Sequence, residues 1–196
     1  VGGHKTHVKA LQIRTAGLGG DSLIRWEKGR FSIGPRRVAP IAWLGAMYPG
    51  ADRALEFLDT HLDRYAVSTQ NMQILALTGS ADNLALTPQE KKILAMLKSR
   101  PYSIDELVTQ TGVLFERSLK LGRLEENFII QRCGLTLTDL LHVTGRFERW
   151  DKNAAERFCR MFSRLTKMET PEMAEHLLEM GIERLTLELL KRQLDE

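Results

Sequence analysis

The residues whose types and spacing could do chemistry stand near the start of the chain: Gly17-Leu18-Gly19-Gly20-Asp21-Ser22. Adjacent glycines let a backbone approach a ligand closely, and their N–H groups can cradle a phosphate. An Asp and a Ser beside them could hold the water shell of a Mg²⁺ ion. The same six residues also make a tight turn between strands, with Asp-Ser capping the next element. On the hexapeptide alone the turn is the better reading. It lacks the Gly-Lys-Ser/Thr of a Walker loop and the spacing of a dinucleotide fingerprint.

Other reactive residue types are scattered. His4 and His7 lie three apart on a strand-like segment, where they would face opposite ways, which does not favour a shared metal site. His142 on a short helix could reach a ligand, but packing or capping is the commoner role for such a residue. His61 and His176 fall in charged amphipathic helices and are expected to face solvent. Cys133 and Cys159 form neither a CxxC pair nor a disulfide framework, and read as plain buried cysteines. No paired carboxylates and no Ser-His-Asp arrangement can be recognised.

These residues need elements to position them. Residues 7–14 alternate apolar and polar as a half-buried strand does. Two apolar runs around Lys28-Gly29 predict a hairpin that Gly34-Pro35 ends. Leu55, Leu58, Leu62 and Tyr65 recur at helical spacing. Residues 72–77 are a short apolar run, read as a buried strand.

Residues 85–135 read as a separate unit. Thr87-Pro88-Gln89-Glu90 is a capping box with proline at the first helical position, and Ser103-Ile104-Asp105-Glu106 is a second box. A third helix is predicted over residues 114–126, with Phe115, Leu119 and Leu124 inward, followed by a strand at 128–132. Helix, short helix, helix, strand is the order of a winged-helix unit. Yet the third helix mixes Glu116, Glu125 and Glu126 with Arg117, Lys120 and Arg123, where a DNA reader needs cations and amides. Thr136 or Thr138 caps a short helix, and residues 152–167 and 171–194 are helical by period.

Composition sets the frame. The chain has 196 residues, 43% hydrophobic and 27% charged, enough to bury a sizeable core. A net charge of +3 does not point to an electrostatically driven nucleic-acid binder. No apolar run has the length of a membrane span. Cysteine usage suggests a reducing, cytoplasmic setting. A start at Val1-Gly2-Gly3 reads as a piece of a longer protein.

Several segments together resemble the hydantoinase/oxoprolinase family. They are residues 1–8, then Ile13-Arg14-Thr15-Ala16-Gly17-Leu18-Gly19-Gly20-Asp21-Ser22, then Ile33-Gly34-Pro35-Arg36, and downstream the run from Gly134 to Phe147 around Thr136, Thr138 and Asp139. The resemblance implies an actin-like ATPase fold. It implies an enzyme that uses ATP and Mg²⁺ to open cyclic amides such as 5-oxoproline or hydantoin, by phosphorylating the amide oxygen. Gly19, Gly20, Asp21 and Ser22 match one polar segment of the family, and Thr136, Thr138 and Asp139 match another. These seven are the candidate cofactor-binding residues, and the catalytic residues are not identified.

The family's acidic-glycine-threonine phosphate loops would precede Val1, and its Gly-Gly-Gly-Ser reads Gly-Gly-Asp-Ser here. The expectation is therefore an α+β, mainly α chain that is part of an actin-like ATPase. Residues 1–84 and 136–196 would form parts of the ATPase-like lobe, and residues 85–135 a winged-helix-like insert. Its partners would be the rest of the polypeptide and a small cyclic amide, with self-association open. The chain alone is not expected to hydrolyse ATP. The alternatives are a winged-helix module for nucleic acid or protein, and a regulatory ATPase lobe without hydrolase activity.

Overall fold

The computed structural model describes residues 18–194, so the strand expected at 7–14, His4, His7 and Gly17 lie outside the described residues. Strands β1 (Ser22–Glu27) and β2 (Arg30–Arg37) form the expected antiparallel ribbon. Lys28 and Gly29 between them both have positive φ, 48° and 82°. That pair of left-handed residues matches the right-handed twist of a two-residue hairpin. Trp26 pairs with Phe31 across the ribbon, their ring centroids 4.8 Å apart.

Gly34-Pro35 does not end the second strand as the sequence suggested. Ile24 pairs with Ile33, yet Ser22 pairs with Arg37, so β2 carries two extra residues at an irregularity there. Proline, with no N–H to give to the ladder, is tolerated at such a break. The strand resumes and delivers Arg36 and Arg37.

A second sheet has the order β3-β6-β4-β5. Its strands are β3 (Ala39–Pro40), β4 (Ile74–Leu77), β5 (Tyr102–Ser103) and β6 (Ile130–Gly134). β3 runs parallel to β6, while β4 is antiparallel to both β6 and β5. β4 alternates between two cores. Ile74 and Ala76 belong to one cluster, Leu75 to the other. Burial on both faces is why this strand reads as an unbroken apolar run.

One face carries α1 (Ile41–Met47), α2 (Ala51–Thr60), α6 (Leu137–Val143), α7 (Lys152–Thr166) and α8 (Thr170–Leu194). Their buried residues include Leu44, Leu58, Leu140, Phe158 and Leu177. The other face carries α3 (Pro88–Ser99), α4 (Ile104–Thr111) and α5 (Gly122–Glu126), packed through Ile93, Leu107 and Leu124. The chain is α+β and mainly helical.

The Thr87 box forms in full: Thr87 Oγ1 accepts from the Glu90 N–H, and the Thr87 N–H donates to the Glu90 carboxylate. The Ser103 box forms by half. Ser103 accepts from the Glu106 N–H at 3.2 Å, but the Glu106 carboxylate turns to Arg100.

The third helix over residues 114–126 is the largest correction. A 3₁₀ turn, Glu116–Leu119, is followed by Lys120 at φ 53°, and only then by the short α5. Phe115 is 57% exposed rather than inward. Arg132 supplies the reason. It is buried in β6 and bonds both Glu116, at 2.6 Å, and Glu125. Residues nine apart in a continuous helix lie about half a turn round from each other and roughly 13 Å apart. They could not both reach one guanidinium; the break lets them. Two of the three acids that argued against DNA reading, Glu116 and Glu125, are thus spent on an internal arginine.

Candidate functional site

The two polar segments singled out in the sequence meet. The Thr138 N–H and the Thr138 hydroxyl both donate to the Gly20 carbonyl, at 2.9 and 2.8 Å. Gly20 is needed for this approach, since a Cβ there would stand 2.8 Å from Thr138 Oγ1. Beside it the turn closes on itself. The Gly19 N–H donates to Ser22 Oγ at 2.9 Å, and the Ser22 N–H donates to the Gly19 carbonyl at 3.0 Å. Asp21 holds Arg37, whose Nε lies 2.8 and 2.7 Å from its two oxygens.

Thr136 and Asp139 are fully buried and form the cap of α6. Asp139 Oδ2 accepts from the Thr136 N–H at 2.9 Å and the Thr136 hydroxyl at 2.8 Å. Its Oδ1 accepts from the Ala42 N–H at 2.8 Å, in the first turn of α1. One carboxylate therefore ties the starts of two helices. Burial pushes the Asp139 carboxyl up to about 6, while the N–H donors from Ala42, Ile41 and Thr136 pull the other way.

A groove of about 700 Å³ opens beside this junction. Asp21 and Arg37 stand at its polar side, with Thr78 and Gln131; Trp43, Trp150 and Phe128 give it aromatic walls. Trp150 is set by His142. Thr138 O lies 2.8 Å from His142 Nδ1, and the Trp150 N–H donates to Nε2 at 3.1 Å. Nε2 must therefore be the acceptor and Nδ1 carry the proton. The two rings stack with centroids 5.8 Å apart, and Phe147 meets the His142 ring edge-on at 4.9 Å. His142 is a buried positioning residue that links Thr138 to the groove wall.

Fit of a magnesium nucleotide can be judged from these bonds. The Gly19 N–H is taken by Ser22, the space over Gly20 by Thr138, and the Asp21 carboxylate by Arg37. Among the described residues, no group of three or more His, Cys, Asp or Glu could hold a metal ion. The seven candidate residues form turns and caps, and a phosphate–Mg²⁺ cradle does not fit on them alone. What the groove can do is stack a small planar molecule and hydrogen-bond its edge, through an amide, a hydroxyl and a guanidinium.

No family model, curated protein or solved structure matches the chain.

The other reactive side chains have plainer roles. His176 is exposed, whereas His61 is half-buried and stacked on Phe57 at 4.3 Å. Cys133 and Cys159 are buried, and burial pushes the Cys133 thiol well up and Cys159 to about 12, so neither is a ready nucleophile. Gln131, Thr78, Trp43 and Trp150 were missed in the sequence. They come from four separate segments with no motif between them, so only the fold assembles them.

Proposed function

We propose that this chain is part of a hydantoinase/oxoprolinase-like, ATP-dependent enzyme that opens a cyclic amide. Its groove would form a wall of the substrate cleft. The observation that carries the reading is the Gly20–Thr138 junction: two segments of the resemblance, 118 residues apart, meet at the edge of a groove with amide-recognising groups. The Thr78 hydroxyl donates to the Phe128 carbonyl and Gln131 Nε2 to the Arg132 carbonyl, so Thr78 Oγ1 would accept from a ring N–H, while Gln131 would accept through Oε1 and donate its second amide hydrogen. Arg37 would attract partial negative charge on the ring oxygen. Trp43 and Trp150 would offer aromatic faces for the ring to stack on. ATP and Mg²⁺ belong to the parent enzyme on this reading, held by residues other than those described, within an actin-like ATPase fold.

The nucleic-acid alternative loses ground to the broken third helix. Arg132 is buried and bonds Glu116 and Glu125, so it is not presented to a phosphate backbone, and Arg123 is paired with Glu90.

Calorimetric titration of the full chain with hydantoin and with 5-oxoproline tests the reading. Saturable binding of either, weakened at least fivefold in Gln131→Ala, is the expected result. Absence of heat with both ligands, alongside salt-dependent binding of duplex DNA, would replace it with the winged-helix module.

A further inference from the structure

Arg36 and Arg37 leave β2 on a side of the molecule where other arginines gather. A recess of about 160 Å³ there is lined by Arg36, Arg37, Glu125, Gln131 and Arg132, together with Phe128 and Ile130. Glu125 is shared: one oxygen bonds Arg132, and the other lies 3.6 Å from Arg36. Glu116 is likewise taken by Arg132, at 2.6 Å. Arg25, on the neighbouring strand, is close enough to act on Arg36 electrostatically. Its Nε is enclosed and finds no hydrogen-bond partner among the described residues.

Charge does not balance at this spot. Arg37 is paired with Asp21 through its Nε, and among the described residues the charges acting on Arg36 are those of Arg132 and Arg25 against Glu125 and Glu116. Arg36 carries the surplus. It has the longest ion pair of the group, and its side chain is 48% exposed. Its proton affinity is lowered, first by burial and then by the nearby Arg132 charge. Arginine meets oxyanions through a fork of N–H donors that pairs with two oxygens at once. An anion entering the recess would meet Arg36 and Arg37 and cancel the surplus.

We infer that this recess is an oxyanion site, in which Arg36 and Arg37 bind a phosphoryl or carboxylate group of a small molecule. It adjoins the aromatic groove, with which it shares Arg37, Phe128 and Gln131, so a ligand with a planar body and an anionic arm could span both. Charge and geometry alone define the recess, whatever the ligand of the groove beside it.

Titration calorimetry of the full chain with inorganic phosphate and, separately, acetate tests it, at constant ionic strength. One saturable site is expected for at least one probe. Arg36→Gln should weaken it fivefold or more, and Arg30→Gln, at the far end of the hairpin, should leave it unchanged. Arg36 is half-exposed, so the variant should keep its thermal midpoint, which melting checks. Phosphate binding far tighter than acetate identifies a phosphoryl ligand, and similar affinities identify a carboxylate. No saturable binding of either, or equal binding by Arg36→Gln, overturns the inference. Loss of hydantoin binding with phosphate binding intact would overturn only the cyclic-amide reading, because hydantoin has no anionic arm.

Discussion

Thr138 gives both its backbone N–H and its hydroxyl to the carbonyl of Gly20, from 118 residues away. This pair of hydrogen bonds fixes the glycine-rich turn to the start of α6, and so sets one edge of the groove. Placing a methyl group at Gly20 would put a Cβ 2.8 Å from Thr138 Oγ1. Gly20→Ala is expected to cost about 1–3 kcal/mol through this overlap. Thr138→Ala removes the same contact, so the double variant should lose less than the two single losses added together. Thermal melting of the four proteins measures this. Full additivity would show that the contact does not couple the segments.

Asp139 gives the chain a pH dependence of definite sign. Its carboxyl is raised from an ordinary 3.8 to about 6, chiefly by burial. The folded state then binds the proton more tightly than the unfolded chain. The contribution is fully present below about 4 and is lost as pH rises through 6, amounting to about 3 kcal/mol if the shift is complete. Denaturant unfolding between pH 4 and 7 should show this slope, and Asp139→Asn should remove it. An unchanged slope in the variant would assign it to another group.

Gly181 sets two effects against each other. It lies in α8, where alanine would gain about 1 kcal/mol in helix propensity. A Cβ there would sit 2.8 and 2.9 Å from the two methyl carbons of Leu137, which is itself buried in the core. Overpacking should win, and Gly181→Ala should lower the melting midpoint by a few degrees, roughly 2–8 °C. Pairing it with Leu137→Val, which shortens the obstructing side chain, should recover part of that loss.

His142 should govern the groove without touching its contents. Its Nε2 accepts from the Trp150 backbone and its ring stacks on Trp150. His142→Phe keeps a ring but loses the acceptor, leaving the half-buried Trp150 backbone N–H without its partner, at about 1 kcal/mol. Trp150 fluorescence should shift and ligand binding should weaken together. His142→Gln, which can present a carbonyl oxygen, should restore part of both.

Much of this architecture was legible residue by residue. Lys28-Gly29 between apolar runs gave the hairpin, and Thr87-Pro88-Gln89-Glu90 gave the start of α3, because turn and cap chemistry is local. The third helix failed because its fate is decided by Arg132, a residue beyond it, whose two carboxylate partners cannot share one helix face. The continuation of β2 past Gly34-Pro35 failed similarly, since the pairing of Arg37 with Ser22 is set by the partner strand. Within the candidate site, Gly20 and Thr138 were named from sequence, and the structure brings them together. Asp139 was named too, but it proved to be a buried tie between α1 and α6 rather than a group facing a cleft. The groove's Trp43, Thr78, Gln131 and Trp150 carry no local pattern at all.

On the proposed function, the groove beside Gly20 and Thr138 takes a planar cyclic amide. The chain's three tryptophans make this directly measurable. Trp43 and Trp150 line the groove, whereas Trp26 packs on Phe31 in the hairpin. Nuclear magnetic resonance of the ¹⁵N-labelled chain resolves one indole N–H signal for each. Titration with hydantoin should move the Trp43 and Trp150 signals along one saturating curve and leave Trp26 in place. If all three stay still, or Trp26 moves alone, the groove is not a cyclic-amide site and the proposed function falls.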